Sequence, residues 1–572
     1  MIRRALFCLS AILAPLSAAD GPWDRLGEDT LMAVRWHGDG PARATMATYT
    51  ILPTLANPAL VEAVGGLVTD AAPGSEFGTL LTSLGGRGAT MEDLAAVLRG
   101  DLGIAVVAAG DKPLVLAWAT VPDGTWEKIM AECAAQATQG ALTISDRTAG
   151  GHAVRLITPA TEGANGLAVH RAADGRCWFA SGPEMDADAL SAAVVSWIEA
   201  RPGERSLGRR SAAAGLFPAS GDAPLLEAVV DVPRIAALIR AEPEPDQNRD
   251  LGMAITHLAG MGFAGLEMRV DGGAVRSRLA LQCPGPRGGA MRMFDAPGQE
   301  PAIPAWIPER AISVSTMTMD LARMWSGVRE AMIAVQGDEA RANLEQMDTM
   351  VPAFTGGLTL EEILTALGSR WWMVDLPEPA GGDGANEHLA FVVDLGDPAV
   401  MTRLLPLANM MGGAAGGIRF VTEQGAQGLR IGNDEDGGVG IFIAGERLVV
   451  GVGAGVAEDL LAALVRGDGA WARTPAAREG LPRLPGRPLL GWVIEDYAKT
   501  LSGAVAAVRS TLELSPLEEE HPERYQAILA ALPTGEALSA CVTGPATAVI
   551  VDDGGTLRVE SETRFVVGSA AP

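Results

Sequence analysis

Apolar positions along this chain repeat with two different periods. Short runs such as LGIAVVAAG at 102–110, PLVLAWATV at 113–121, WWMVDL at 371–376 and HLAFVVDL at 388–395 are rich in β-branched and aromatic residues and predict strands. Longer stretches with apolar residues three and four apart predict helices: TWEKIMAECAAQA at 125–137, DADALSAAVVSWI at 186–198, PAVMTRLLPLANMM at 398–411 and VAEDLLAALV at 456–465. Between them lie hairpins, two apolar runs joined by a polar turn. LEMRVDGGAVRSRLAL at 266–281 and AVIVDDGGTLRVESETRF at 548–565 both turn at Asp-Gly-Gly, which suits the positive φ of a tight hairpin.

These elements come twice, in one order. GATMEDLAAVL at 88–98 and GLTLEEILTALG at 357–368 each open with Thr90 or Thr359 followed by an acidic pair, Glu92-Asp93 or Glu361-Glu362. That is a capping box: the Thr hydroxyl accepts from an early N–H and the third-position acid reaches back, so a helix starts at both places. GLAVHRAADGRCWFASG at 166–182 matches GIFIAGERLVVGVG at 440–453, and PLLEAVVDV at 224–232 matches PLLGWVIED at 488–496. The opening strands would be DTLMAVRWH at 29–37 and AISVSTMTM at 311–319, the second followed by a helix from Asp320. The sequence therefore predicts a tandem duplication. Residues 20–283 form the first repeat and 309–567 the second, with 568–572 as a tail. The Pro- and Gly-rich stretch 284–308 reads as a linker without regular structure. Hairpin-linked strands with helices inserted between them predict an α+β class: two tandem homologous domains, each a largely antiparallel sheet packed with helices and curved enough to leave a concave face.

Residues 1–19, MIRRALFCLSAILAPLSAA, have a basic start, an apolar centre too short to span a bilayer and small residues at Ser17 and Ala19. This is the layout of a secretory signal peptide cleaved near Ala19, and it predicts export to the periplasm or beyond. Cys8 lies within the apolar centre, so a lipid-modified cysteine is not indicated, and no later stretch is long and apolar enough to cross a membrane. The formal net charge is −26, which repels nucleic acid and anionic headgroups and removes nucleic acid as a partner. Cys133, Cys177, Cys283 and Cys541 follow the leader without metal-type spacing; if one disulfide forms, Cys133 with Cys177 is favoured because both fall in one repeat, and the alternative is four buried thiols.

The leader, FDAPGQEPAIPAWIP at 294–308, MDLARMW at 319–325, the GLTLEEILTALG helix start and PLLGWVIEDY at 488–497 together resemble a family of uncharacterised exported bacterial proteins of the planctomycete type, internally duplicated and with a domain of unknown function. The resemblance implies export and duplication. It brings no activity, cofactor or catalytic residue.

The chemistry-bearing residues form no recognised constellation. The histidines at 37, 152, 170, 257, 388 and 521 include no H-E-x-x-H, and there is no G-x-S-x-G or S-x-x-K. VVGVGAGVAEDLL at 449–461 has a strand, Gly451, Gly453, Gly455 and a helix, but lacks G-x-G-x-x-G spacing; a tight strand-to-helix turn explains it. NDEDGG at 433–438 and VDDGG at 551–555 invite calcium, yet neither has the EF-hand spacing, and solvated turns explain both. Trp371 and Trp372 must face opposite sides of a strand, one in the core and one towards a helix, a partner or solvent. Met317, Met319 and Met324, and Met401, Met410 and Met411, could line an adaptable apolar groove; for the strand residues ordinary core comes first.

No catalytic, cofactor or metal residue is therefore nominated. The leading expectation is a non-catalytic exported binding or scaffold module with an envelope protein as partner. The runner-up is a carrier of an apolar ligand such as a lipid, held between sheet and helices, and the third is a hydrolase with a scattered site.

Overall fold

The structure, a computed structural model, describes residues 25–38, 40–51, 96–109, 112–161, 165–183, 185–200, 224–241, 260–377, 388–413, 418–432, 438–453, 455–467, 469–513 and 522–568, with the single positions 207, 216 and 256. The first helix-start echo at Thr90, Glu92 and Asp93, the leader, His257, His521 and most of NDEDGG lie outside these residues.

The first half contributes strands β1 (Thr30–His37), β2 (Asp101–Ala109), β3 (Lys112–Thr120), β4 (Leu142–Ala149), β5 (His152–Pro159), β6 (Leu167–Arg171), β7 (Arg176–Ser181), β8 (Leu226–Asp231), β9 (Phe263–Asp271) and β10 (Ala274–Gln282). Helices α1 (Pro41–Met46), α2 (Asp123–Thr138), α3 (Ala187–Glu199) and α4 (Val232–Ala241) interrupt them. The second half contributes β11 (Ser313–Thr318), β12 (Arg370–Asp375), β13 (Leu389–Asp394), β14 (Ile418–Glu423), β15 (Ala426–Ile431), β16 (Val439–Ala444), β17 (Arg447–Val452), β18 (Gly491–Glu495), β19 (Ala546–Asp552) and β20 (Thr556–Arg564). Its helices are α5 (Leu321–Phe354), α6 (Leu360–Ala366), α7 (Pro398–Gly413), α8 (Val456–Arg466), α9 (Pro475–Gly480), α10 (Tyr497–Glu513), α11 (Pro522–Ala531) and α12 (Gly535–Ser539).

Every strand pair is antiparallel, and the fold is mixed helix and strand around one open sheet. Within the first half, β1 lies between β2 and β8, β3 joins β2 to β7, β4 to β7 form a meander, and β9 joins β8 to β10. The second half repeats this pattern strand for strand, from β11 between β12 and β18 to β19 between β18 and β20. The sequence did not announce the joint: β10 pairs with β20 over its whole length, so the two sets of strands form a single sheet. Arg278 stands opposite Glu560 there, joined at 2.7 Å, with Arg276 bonded to Glu562 at 2.9 Å and Ser277 to Ser561 at 2.6 Å.

Local chemistry sets the ends of the elements. In α6, Thr359 Oγ1 accepts from the Glu362 N–H at 3.2 Å while Glu362 accepts from the Thr359 N–H at 2.8 Å, which closes the capping box. The β9–β10 turn takes φ of 50° and 92° at Gly272 and Gly273, and the β19–β20 turn 61° and 97° at Gly554 and Gly555, as Asp-Gly-Gly predicts. Helix α5 is not one rod. Gly337 breaks it with φ 59° and ψ −130°, and Arg329 bonds Asp348 through both guanidinium nitrogens at 2.7 Å. Along a straight helix those residues would stand ~28 Å apart, so the chain reverses at Gly337 into two arms, Leu321 to Gln336 and Asp338 to Phe354.

Residues 284–308 contain a 3-10 helix, Gly289–Asp295, where no regular structure was expected, and they are packed rather than loose. Arg287 is buried between Asp295 at 2.9 Å and Asp552 at 2.5 Å, Gln299 exchanges two backbone bonds with Leu489, and Trp306 and Ile307 lie in the second core. Apolar burial offsets what Pro and Gly deny in hydrogen bonding.

Candidate functional site

The residues singled out in the sequence scatter. Trp372 is buried, with its ring edge-on to Trp306 and Trp492 at 5.8 Å and the Arg370 guanidinium 4.4 Å from its centroid, while Trp371 on the other face is partly exposed. The glycine run is a packing device: a side chain at Gly451 would lie 2.5 Å from the Ala457 nitrogen, so only glycine lets α8 settle on β17. The start of α8 already holds Glu458, paired with Arg430, and Asp459, paired with Arg310, and the space beside it is only about 10 Å³. In VDDGG, Asp552 is bonded by Arg287 and Asp553 by Arg487 and Arg558, which makes that turn an arginine clasp. None of Cys133, Cys177, Cys283 and Cys541 is in a disulfide, and burial pushes the Cys177 thiol up to about 11. His152 and His170 meet edge-on at 5.1 Å, but among the described residues no group of three His, Cys, Asp or Glu side chains could hold a metal ion. Met317, Met319, Met324 and Met401 are half-buried.

One polar arrangement escaped the sequence. Strand register aligns Arg35, Glu227, Glu267, Arg278 and Glu560 in a row across β1, β8, β9, β10 and β20. Arg35 and Glu267 are almost fully buried; Glu267 binds Arg269 at 2.5 Å and Arg35 lies 3.7 Å from Glu227. His37, 1 % exposed, is 3.4 Å from the same Glu227 carboxylate. Burial, with the Arg35 charge second, holds its imidazole down to about 2, so the ring is neutral and donates from Nε2. Among the described residues its Nδ1 has no hydrogen-bond partner, so none of their hydroxyls or thiols is held against it as a nucleophile.

The roomier site lies between helices. The second arm of α5 turns Asn343, Gln346, Met347, Met350, Val351 and Phe354 to one side, and with Thr355 and with Leu404 and Leu407 of α7 they line an open groove of about 530 Å³. The spacing of three and four along the arm puts these side chains on one stripe. Met350 is 45 % and Phe354 61 % exposed, unusual for such side chains, and among the described residues no charged side chain lines the groove. Arg403, just before Leu404, donates to the Gly356 carbonyl at 3.1 Å and so sits beside the Phe354–Thr355 end. Helix α7 also covers β14, β15 and β16, where Leu405, Leu429 and Ile443 fill the space beneath it. The runner-up expectation was an apolar ligand between sheet and helices; beneath α7 packed side chains fill the space, and the groove is lined by residues of the second arm of α5 and of α7.

No family model matches the chain, and no curated protein matches it. Among solved structures it is similar to TP0453 in three crystal forms. Form III aligns at 11 % identity with a TM-score of 0.23, covering 47 % of this chain and 81 % of that one. Form IV gives 12 % and 0.23 over 46 % and 81 %, and form I gives 11 % and 0.23 over 46 % and 79 %. Likeness at that level carries no argument about fold or function. Among the described residues no helix is long and apolar enough to cross a membrane.

Proposed function

We propose that this is an exported, non-catalytic binding protein, built of two tandem homologous domains and carrying an apolar ligand in the groove between the second arm of α5 and α7. The observation that carries the reading is the groove itself: a few hundred cubic ångströms, apolar over most of its lining, with amides only at Asn343 and Gln346. Small-molecule sites have that size and that balance of apolar wall and sparse polar groups. Support for the two domains comes from the sequence echoes and from the identical strand pairing on either side of the β10–β20 joint. Export rests on the leader at 1–19, and membership of the duplicated exported family rests on the leader together with the passages at 294–308, 319–325, 357–368 and 488–497. The overall acidity disfavours an anionic bilayer as the thing grasped, which leaves a single ligand molecule or a neutral lipid.

The test is a neutral apolar fluorophore, N-phenyl-1-naphthylamine, titrated into the full chain and into Phe354→Glu and Met350→Glu variants. Both sites are exposed, so the fold tolerates the change, and each charge is expected to weaken dye binding at least tenfold. Unchanged binding in both variants, or no binding to the parent, would remove the groove as the site. Solvent extraction and mass spectrometry of the purified protein would show which apolar molecule it keeps.

A further inference from the structure

We infer that the groove takes a single-chain carboxylate amphiphile, a fatty acid, with its head at Arg403 and its tail along the second arm of α5; this rests on the apolar-ligand reading above. The lining runs from Asn343 to Phe354 on one helix face, eleven residues or ~16 Å at the helical rise, the reach of an extended acyl chain of about a dozen carbons. One helix face against Leu404 and Leu407 offers a strip, not a chamber, which suits one chain better than a ring system or a two-chain lipid.

The two mouths differ in chemistry. At the Asn343 end the lining polar groups are the neutral amides of Asn343 and Gln346. At the Phe354 end stands Arg403, exposed and held by one bond to the Gly356 carbonyl. A guanidinium has five N–H donors in a flat fork, so that bond fixes the group and leaves donors for a carboxylate. Two acids of the neighbouring elements have bonding partners of their own. Glu362 feels the Arg403 charge, but its carboxylate accepts from the Thr359 N–H at 2.8 Å and hydroxyl at 2.9 Å, and those contacts hold its carboxyl below the usual range. Asp348, on the same arm, is bonded twice by Arg329. A fatty-acid head at this mouth meets a positioned cation, and among the described residues its tail meets no charged side chain of the lining.

The experiment is displacement of bound N-phenyl-1-naphthylamine by sodium dodecanoate and by 1-dodecanol at pH 8, with the intact chain and with Arg403→Gln and Arg403→Lys. Dodecanoate is expected to displace the dye at a concentration at least tenfold below dodecanol. Arg403→Gln should erase that preference while leaving dodecanol unchanged, and Arg403→Lys should retain part of it. Equal displacement by the two ligands in the intact chain, or a preference that survives Arg403→Gln, overturns the head-group assignment and leaves the apolar groove standing. A parent protein that binds no dye overturns both.

Discussion

The same row of the same sheet is charged in one half and aromatic in the other. By strand register, Arg35, Glu227 and Glu267 of the first half hold the places of Thr316, Trp492 and Val549 in the second. Arg269 corresponds to Val551, and His37 to Thr318, whose N–H groups donate alike to Leu225 and Leu490. Where the second half sets Trp306, Trp372 and Trp492 edge-on to one another, the first moves its tryptophans to Trp118 and Trp178 on β3 and β7 against Trp197 on α3. Gly103 then occupies the place of Trp372, and a side chain there would strike the Trp118 ring at 2.3 Å. One backbone plan thus accepts either an apolar or an ion-paired interior, provided each charge finds its partner.

The largest effect should come from the aromatic side. Trp492→Ala opens a cavity beside Trp372 and should cost about 3–5 kcal/mol in urea unfolding, more than any single truncation of an exposed residue. Glu267→Val should cost about 3 kcal/mol because it breaks the 2.5 Å ion pair with Arg269 at a nearly fully buried carboxylate, whereas Glu267→Val with Arg269→Val, which imports the second half's residues, should lie within about 1 kcal/mol of the parent. A double variant as damaged as the single would mean that the two interiors are not interchangeable.

His37 gives the comparison a pH axis. Its folded value is depressed to about 2, so only the unfolded chain takes up this proton as pH falls below about 6.5. Stability therefore drops with acid by up to about 1.4 kcal/mol per pH unit from this group. His37→Thr, the second half's residue, should flatten that slope between pH 6.5 and 4; an unchanged slope would show that the ring is not neutral in the fold. The smallest effect belongs to the seam, where Arg278 and Glu560 are partly exposed. A double-mutant cycle through Arg278→Ala and Glu560→Ala should give a coupling under about 1 kcal/mol, falling further in salt.

What was legible in the sequence was local. The box at Thr359 and Glu362, the two Asp-Gly-Gly turns and the opposed faces of Trp371 and Trp372 depend on residues a few positions apart, and the structure has all three. The Gly337 reversal hid because one glycine inside a helical pattern is ordinarily tolerated, and the Arg329–Asp348 pair that marks the turn spans both arms. The packing of residues 284–308 hid because Pro and Gly density reports what the backbone cannot do and says nothing of where Trp306 goes. The groove was half visible: clustered methionines suggested that one could exist, with ordinary core the first reading for the strand residues, and its walls hold Met347 and Met350, not Met317 or Met401. The charged row was out of reach, since Arg35 and Glu227 lie 192 positions apart in the chain and meet only through register.

Arg278 and Glu560 occupy the same place in their respective halves and also face each other. Two identical strands meeting in this register would set arginine against arginine, or glutamate against glutamate, at the centre of the joint. Only a chain that writes its two middle strands differently can seat opposite charges there. The seam is thereby addressed: each strand is matched to the other and mismatched to a copy of itself, which disfavours pairing of like strands between neighbouring molecules.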